Sequence, residues 1–225
     1  MALVYPLALP DVPLNCTSFE LDLMAQSSVT GGGEDFSVER GAALWHGVFT
    51  TPLLRGLNFK IMSAWKAAVE SPPKRVWAWD TRCNFPFAYQ KIGFTGLVRA
   101  VGGTSFDGTA TLGTVADGKS VPLSGFPAGF VLGPGDYISY AYDGGRQACH
   151  RIAGLALVTA DSSGMMTVEV RPAVRAGWTS GASVSVLKPK IQATIIPNSF
   201  RCSRDASQMG TFSFEVKQTL RQVAS

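Results

Sequence analysis

The sequence predicts an all-β protein, mainly β with one helix, in which a β-sandwich is interrupted by an inserted small β-barrel. Three observations predict this class: short apolar runs that alternate with polar residues, closely spaced turn residues, and a single segment with helical spacing. The 225 residues include 24 glycines and 13 prolines, enough for frequent turns between short strands. A chain of this length can form one large β domain or two small ones.

The densest pattern of strands and turns lies between Gly129 and Pro172. Four strands are predicted there, at 130–132, 137–142, 149–160 and 165–170. The turns between them are Gly133–Asp136, Asp143–Gly145 and Asp161–Gly164, all rich in residues that tolerate tight turns. Strands this short at this spacing indicate an antiparallel barrel or sandwich. Two further strands are expected on either side of this stretch, Thr109–Leu112 before it and Val184–Leu187 after it.

Alternating strands are also predicted on both sides of this region, at 17–24, 44–50, 76–79, 191–196 and 211–216. In the first of them Phe19, Leu21 and Leu23 share a face, and in the last Phe212, Phe214 and Val216 do. Gly31–Gly33 is expected to be a flexible surface loop, since the GxxxxGK[ST] frame of a phosphate-binding loop is absent.

One helix is predicted, from Pro52 to Glu70. Thr51 is expected to cap it, and Ser71-Pro72-Pro73 to end it. Its apolar stripe includes Leu54, Leu57, Ile61, Trp65 and Ala68. We expect Leu57, Ile61 and Trp65 to pack on the sheet of the outer domain, where each contributes about 1.5–3 kcal/mol.

The composition changes near Gly93 and again at Lys188-Pro189-Lys190. Between these points small residues dominate, which predicts an inserted barrel at residues 93–188. Residues 1–92 and 189–225 would form one discontinuous outer domain around it. Two strands and a helix on one side cannot close a sheet unless the strands on the other side pair with them.

Composition excludes several classes of function. Charged residues make up only 16% of the chain, and the net charge of +4 is scattered, so a nucleic-acid surface is not predicted. The four cysteines lie far apart without a CxxC pair, which predicts free thiols and no zinc site. The first residues lack the basic region of a signal peptide, and no stretch has the length and apolarity to cross a membrane. We therefore expect synthesis and use as a soluble cytoplasmic product.

The sequence predicts no catalytic, cofactor-binding or metal-binding residues. His46 and His150 are expected to be structural, and Cys149 beside His150 would point to the opposite face of a strand. GxSxG and HExxH motifs are absent. Asp136 and Asp161 lie in turns, where aspartate is common for backbone reasons. A carboxylate pair for glycoside hydrolysis could still form in space, although no spacing points to it.

Trp77 and Trp79 fall on one face of a predicted strand. They could stack on a sugar ring, but packing in a core or between subunits is the favoured interpretation, since aromatic residues dominate both.

The order of several motifs resembles tail proteins of long-tailed bacteriophages. GPGDYISY is followed by RQACHRI, by TADSSGMMTVEVRPAVRAG and by GASVSV, and FSFE occurs at 212–215. ERGAALWHGVFTTPLL, at 39–54, is similar to the first-domain strand and helix of those proteins. The plan of the chain is similar to the distal tail protein family, and the resemblance covers most of the chain.

The resemblance implies a tail-tube-like β-sandwich with an inserted OB-like barrel, and a hexameric ring at the distal tip or baseplate of the virion tail. The implied partners are further copies of the chain, the tail tube protein, and the tail hub and other tip proteins, with DNA only as passing cargo and no membrane insertion. The strands at 17–24 and 211–216 are expected to be sheet edges that pair across the ring contact. The family carries no catalytic residues. Two alternatives stay open: a carbohydrate-binding module of the tail tip, and a cell-wall hydrolase.

Overall fold

The computed structural model of this chain describes residues 3–29, 31–39, 41–70, 74–204 and 209–221. Within them the protein is mainly β, with one α-helix and a closed six-stranded barrel, which confirms the predicted all-β class with a small barrel. Numbered in chain order, the strands are β1 (Asn15–Asp22), β2 (Ala25–Val29), β3 (Asp35–Glu39), β4 (Leu44–Thr50), β5 (Arg75–Ala78), β6 (Thr109–Leu112), β7 (Ser120–Ser124), β8 (Val131–Leu132), β9 (Tyr137–Tyr142), β10 (Arg146–Ile152), β11 (Val158–Thr159), β12 (Met166–Arg171), β13 (Ser183–Ser185), β14 (Ile191–Ile195), β15 (Arg201–Arg204) and β16 (Gly210–Gln218). Helix α1 spans Gly56–Glu70, and a short 3₁₀ helix spans Phe87–Tyr89.

Contacts between residues divide the chain into two compact units. The sheet unit comprises residues 10–75 and 193–219, and the barrel unit comprises the described parts of 1–9, 76–192 and 220–225. Residues 76–92 therefore group with the barrel, whereas the composition change at Gly93 assigns them to the outer domain. Independent folding of residues 93–188 stays a prediction.

The sheet unit is an antiparallel sheet with β16 at its centre. Its strand order is β1-β4-β16-β14, and β15 also pairs with β16. The pairing of β16 with β4 runs from Ser213 opposite Thr50 to Lys217 opposite His46. Strands from the two sides of the barrel region thus pair in one sheet, as expected because the strands on one side are too few to form the sheet alone.

The expectation that residues 211–216 form a sheet edge is wrong. β16 pairs with β4 along one edge and with β14 and β15 along the other, so both of its edges are already hydrogen-bonded within the chain. β1, which overlaps the other predicted edge at 17–24, does lie at one end of the strand order.

Aromatic side chains form the core between α1 and the sheet. The ring centroids of Phe19 and Trp45 are 5.1 Å apart, and those of Phe49 and Phe214 are 5.2 Å apart. Gly47 lies between these stacks, where an added Cβ would come within 2.9 Å of the Phe49 ring. Packing of the large rings therefore requires glycine at this position.

The predicted apolar stripe is buried at Trp65 and at Leu54, which lies before α1 begins, but it is wrong at Leu57. The buried residues are Phe59, Met62, Trp65 and Val69, while Leu57 is 71% exposed and Ile61 is half-buried. The Trp65 ring centroid lies 5.2 Å from that of Phe214, and Phe59 lies 5.2 Å from Phe212. Phe59 and Trp65 offer larger apolar surfaces than Leu57 and Ile61, so they decide which side of the helix faces the sheet.

Thr51 does not cap the helix, since α1 begins only at Gly56. The Thr51 N–H donates to the Phe212 carbonyl, and its Oγ1 accepts from the Phe212 N–H, both at 2.9 Å. This buried threonine ties the segment before α1 to β16. The predicted end of the helix at 71–73 lies outside the described residues.

The barrel is antiparallel and closes in the order β10-β12-β7-β6-β13-β9. The predicted hairpin turn at Asp143–Gly145 joins β9 to β10, and all three of its residues have positive φ. The aromatic rings of Phe94, Phe106, Phe126 and Phe130 fill one part of the interior, with centroids 4.9 to 5.9 Å apart. Tyr89, from the 3₁₀ helix, stacks on Phe130 at 4.5 Å, which attaches residues before 93 to the barrel core.

The strand predicted at 149–160 is two strands. β10 begins earlier, at Arg146, and β11 pairs with β8 rather than with the barrel. Gly154 interrupts the run, because glycine weakens a strand and gives it no side chain to pack. The residues between the two strands include Leu155, which is 96% exposed.

Candidate assembly surface

A β-hairpin formed by β2 and β3 is exposed at every position from 25 to 29 and from 35 to 38. The two strands pair from Ala25 opposite Glu39 to Val29 opposite Asp35. Val29 is 68% exposed and Phe36 is 62% exposed, and Val38 is exposed as well. An isolated two-stranded hairpin is marginal in water, because it buries little apolar surface. An exposed apolar hairpin is therefore a candidate contact surface.

The sequence prediction of a loop at Gly31–Gly33 is right for the turn but misses the strands around it. The signal is present in the printed sequence: Asp35-Phe36-Ser37-Val38-Glu39 alternates polar and apolar residues after a glycine-rich turn. Residues 25–29 carry little apolar content, so the pairing partner is not evident from composition.

A second exposed apolar surface surrounds the beginning of α1. Leu53 is 50% exposed and Leu57 is 71% exposed, with the exposed cations Arg55 and Lys60 beside them in the sequence. The Arg204 guanidinium lies 5.7 Å from the centroid of the Phe59 ring in the same helix. This patch, which we call the α1 patch, consists of Leu53, Arg55, Leu57, Lys60 and Arg204.

The face of the sheet opposite α1 is polar and carries paired charges. His46 Nε2 lies 3.0 Å from Glu215 Oε2, and Lys217 Nζ lies 2.5 Å from Asp22 Oδ2. The hydrogen bond and charge of Lys217 hold the pKa of Asp22 below its ordinary value. Glu20 lies opposite His46 in the strand register. The histidine thus has a structural partner, as expected.

His150 lies inside the barrel and is fully engaged by hydrogen bonds. Its Nε2 is 3.1 Å from the Tyr140 hydroxyl, and its Nδ1 is 2.7 Å from the Pro172 carbonyl oxygen. Burial lowers the pKa of His150 to about 4. Cys149 lies on the other face of β10 and is buried, and burial raises the pKa of its thiol. The two residues do not form a nucleophile–base pair.

The two turn aspartates bind backbone N–H groups, as predicted. Asp136 Oδ1 accepts from the Phe87 N–H at 2.8 Å, and its Oδ2 accepts from the Gly133 N–H at 2.7 Å. Burial raises the pKa of Asp136, while these hydrogen bonds oppose the rise. Asp161 Oδ1 accepts from the Ser163 and Met165 N–H groups, and the Ser163 hydroxyl hydrogen bond lowers the pKa of Asp161.

Trp77 and Trp79 project from one face of β5 and the residue after it, and both are half-buried. Lys190 Nζ lies 4.4 Å from the Trp77 ring centroid, and Lys188 Nζ lies 5.6 Å from that of Trp79. Trp79 Nε1 also donates to Asn84 Oδ1 at 2.9 Å. These contacts are cation–π interactions that join β5 to the segment before β14, which favours packing over sugar binding.

Two surface depressions lack the paired carboxylates of a glycoside hydrolase among their described lining residues. One, of about 370 Å³ on the barrel, is lined mainly by apolar residues and has Asp161 as its carboxylate. The other, of about 290 Å³ on the sheet unit, contains Glu215 and Arg201. Each has a single carboxylate among its described lining residues, whereas glycoside hydrolysis uses two.

Among the residues described, no group of three or more His, Cys, Asp or Glu side chains is placed to hold a metal ion. All four cysteines are free: Cys16 and Cys149 are buried, Cys83 is half-buried and Cys202 is exposed. None of the described helices has the length and apolarity needed to span a membrane. No protein-family model matches the chain, and no curated protein matches it either.

Proposed function

We propose that this chain is a structural protein of a phage tail, of the distal tail protein type. Six copies form a ring that connects the tail tube protein to the tail hub and other tip proteins, with a channel through which DNA passes as cargo. The protein is made in the cytoplasm of the bacterial host and resides at the distal tip or baseplate of the virion tail, without membrane insertion. It has no catalytic role.

The observation that carries the proposal is the exposed apolar hairpin of the sheet unit. Val29, Phe36 and Val38 present apolar side chains to solvent on an element that cannot bury them by itself. A permanent subunit interface would cover such an element, since obligate interfaces resemble a domain core cut in half. The motif order at 133–186 and the FSFE segment at 212–215 support the same family.

The polar face of the sheet is suited to line a channel. Glu20, Asp22 and Glu215 are its carboxylates, and its cations include Lys217, which pairs with Asp22, and Arg201, which lies opposite Ser213 on the same face. Protein surfaces hold DNA by neutralising phosphates with Lys and Arg, and a face whose cations are balanced by carboxylates has no excess of positive charge for this. DNA would therefore pass such a face without being retained.

Carbohydrate binding is the alternative at the tail tip, and Trp77 and Trp79 are the residues it would use. The lysines over both indole rings count against it. Glycan-array binding by the purified chain that is abolished by Trp77→Ala would support the alternative over the ring.

The proposal is tested by cryo-electron microscopy of intact particles or of a reconstituted tail tip. We expect density for this chain as a ring of six- or three-fold symmetry around an open channel on the tail axis. Density for a monomeric appendage, or for a position off the axis, would overturn the proposal.

A further inference from the structure

The surface of the barrel has a depression of about 370 Å³ with mainly apolar walls. Neighbouring residues of β7 and β12 line it, including Pro122 and Thr167, which lie opposite each other in the strand register. The turn before β12 supplies Asp161 and the exposed Met165. Sites for small ligands usually have volumes of about 300–1,000 Å³, so this one lies near the lower end of the range. It has room for one side chain rather than for a larger element.

Asp161 is the only carboxylate among the described lining residues of the depression. Its Oδ1 atom accepts hydrogen bonds from the Ser163 hydroxyl and from the N–H groups of Ser163 and Met165. These bonds, led by that of the Ser163 hydroxyl, lower the pKa of Asp161, so the carboxylate is ionised at neutral pH. Among the residues that the structure describes, no cation pairs with this carboxylate and no hydrogen bond occupies its Oδ2 atom. One oxygen and one negative charge are therefore available to a ligand.

The groups around Asp161 are apolar or neutral. Met165 has an unbranched, flexible side chain with a polarisable sulfur atom, which adjusts to the shape of an apolar partner. Pro122 adds a rigid apolar surface, and Ser124 and Thr167 carry hydroxyl groups that can accept hydrogen bonds. The depression thus combines apolar contacts with one charged oxygen and two neutral acceptors.

These features match the side chain of lysine. Its four-carbon stem packs along apolar surface while its ammonium group stays at the polar end. The ammonium has three donors for the carboxylate and the two hydroxyl groups. Arginine fits less well, because a guanidinium binds a carboxylate best through two parallel hydrogen bonds, and Oδ1 of Asp161 is already occupied.

We propose that this depression binds the side chain of a lysine from a partner protein. The stem lies against Met165 and Pro122, and the ammonium donates to Oδ2 of Asp161. A single exposed ion pair holds a free amine only weakly, so the lysine is one contact of a larger protein interface. The inference goes beyond the proposed ring and does not depend on it, since it concerns the barrel surface alone.

The methyl group of Met165 is a direct probe of the site, because the chain has only six methionines. The full chain, labelled with carbon-13 at its methionine methyl groups, is titrated with a short capped peptide of glycine and serine that contains one lysine. We expect the Met165 signal to move with a Kd on the order of 10 mM. The same peptide with norleucine in place of lysine keeps the stem without the charge and should bind about 2- to 5-fold more weakly. Equal binding of the two peptides, or no movement of the Met165 signal, would overturn the proposal.

A pair of variants tests the role of Asp161 itself. Asp161→Asn removes the charge and keeps an oxygen that accepts the N–H groups of the turn. It should weaken binding of the lysine peptide about 2- to 5-fold and leave binding of the norleucine peptide unchanged. Asp117→Asn is the matched control, because Asp117 also accepts N–H groups in a turn, from Lys119 and Ser120, but does not line the depression. Native binding by Asp161→Asn, or an equal loss in both variants, would overturn the proposal.

Carbodiimide cross-linking tests whether the lysine comes from another protein. The reagent takes up the water that is lost when a carboxylate and an amine in contact form an amide bond. Applied to the chain purified together with its native assembly, it should link Asp161 to a lysine of a different protein, identified by mass spectrometry. Links only to lysines of this chain's own sequence, or no link at Asp161, would overturn the assignment to a partner protein.

Discussion

At the scale of single residues, His150 shows how burial converts one side chain into a source of pH dependence. The neutral ring satisfies both nitrogens inside the barrel, through Tyr140 and Pro172. Protonation would place a charge where no carboxylate among its hydrogen-bond partners balances it, and burial therefore lowers the pKa of His150 to about 4. The ordinary histidine pKa is near 6.5.

The first prediction follows from the sign of that shift. Between about pH 6.5 and pH 4 the unfolded chain binds a proton that the folded chain does not, so the free energy of unfolding falls as the pH falls through this range. The lowered pKa corresponds to about 3 kcal/mol in the free energy of unfolding. This contribution is present above pH 6.5 and is lost towards pH 4. Denaturant unfolding at several pH values should show this loss in the native chain and a smaller one in His150→Gln. Equal slopes for native chain and His150→Gln would contradict the assignment.

The second prediction concerns Asp136, which holds the turn before β9 to the 3₁₀ helix. Asp136→Ala leaves the Gly133 and Phe87 N–H groups without their acceptor in a buried place and should cost about 1–3 kcal/mol. Asp117→Ala is the matched control: Asp117 also accepts two N–H groups, from Lys119 and Ser120, but it is exposed, and water replaces it. If chemical denaturation shows the same loss of stability for Asp136→Ala and Asp117→Ala, burial is not the cause of the cost of removing Asp136.

The turn role of Asp136 and Asp161 could be predicted from sequence, because aspartate in a Gly-rich turn binds nearby N–H groups. The bond from Phe87 to Asp136 could not, since it joins residues 49 positions apart. Likewise, the structural role of His150 follows from the absence of a motif, but its partner Pro172 depends on barrel closure.

At the scale of elements, α1 shows where periodicity alone fails. Trp65 belongs both to the predicted stripe and to the observed buried face. The residues of each set recur every three or four positions, so helical spacing alone does not choose between them. The choice between them depends on the facing surface, where Phe200 and Phe214 contact the Trp65 ring and Phe212 contacts the Phe59 ring. Strand periodicity was more informative, because Phe212, Phe214 and Val216 of β16 alternate with polar side chains, and burial alternates residue by residue along β4 as well.

The third prediction separates the two faces of the helix. Met62→Ala removes a fully buried side chain and should cost about 2–5 kcal/mol in the free energy of unfolding. Leu57→Ala, on the exposed side of the same helix, should change it by less than about 0.5 kcal/mol. A large loss for Leu57→Ala in a dilute monomeric sample would place that residue in a core and would exclude it from a docking surface.

At the scale of the whole molecule, the division into units makes a prediction about fragments. Residues 93–188 contain all six barrel strands, and the sequence predicts that they fold alone. Tyr89, however, stacks on Phe130 from outside that range. We therefore expect a fragment of residues 76–192 to melt higher than one of residues 93–188, with β-type circular dichroism in both. Removal of an aromatic core residue typically costs about 3–5 kcal/mol, which sets the size of the difference.

If residues 93–188 remain unfolded while residues 76–192 fold, the boundary at Gly93 is wrong and the insertion begins near Val76. If both remain unfolded, the barrel is not an independent unit. The composition change at Gly93 marks where small residues begin, and composition does not report which aromatic rings pack together. The inserted region can therefore be recognised from the sequence, whereas the residues at which its core ends cannot.

The central place of β16 in the sheet has a consequence for synthesis on the ribosome. The barrel strands, from 109 to 185, all emerge before β16, which begins at Gly210, so the barrel can close while the first sheet is still incomplete. During that interval β1 and β4 have left the ribosome, but β4 lacks its neighbour β16, and Phe49 lacks the Phe214 ring on which it stacks. At ordinary elongation rates the wait lasts on the order of ten seconds. The growing chain is thus exposed to premature association through its incomplete sheet, and nascent-chain chaperones are expected to bind it between residues 19 and 49.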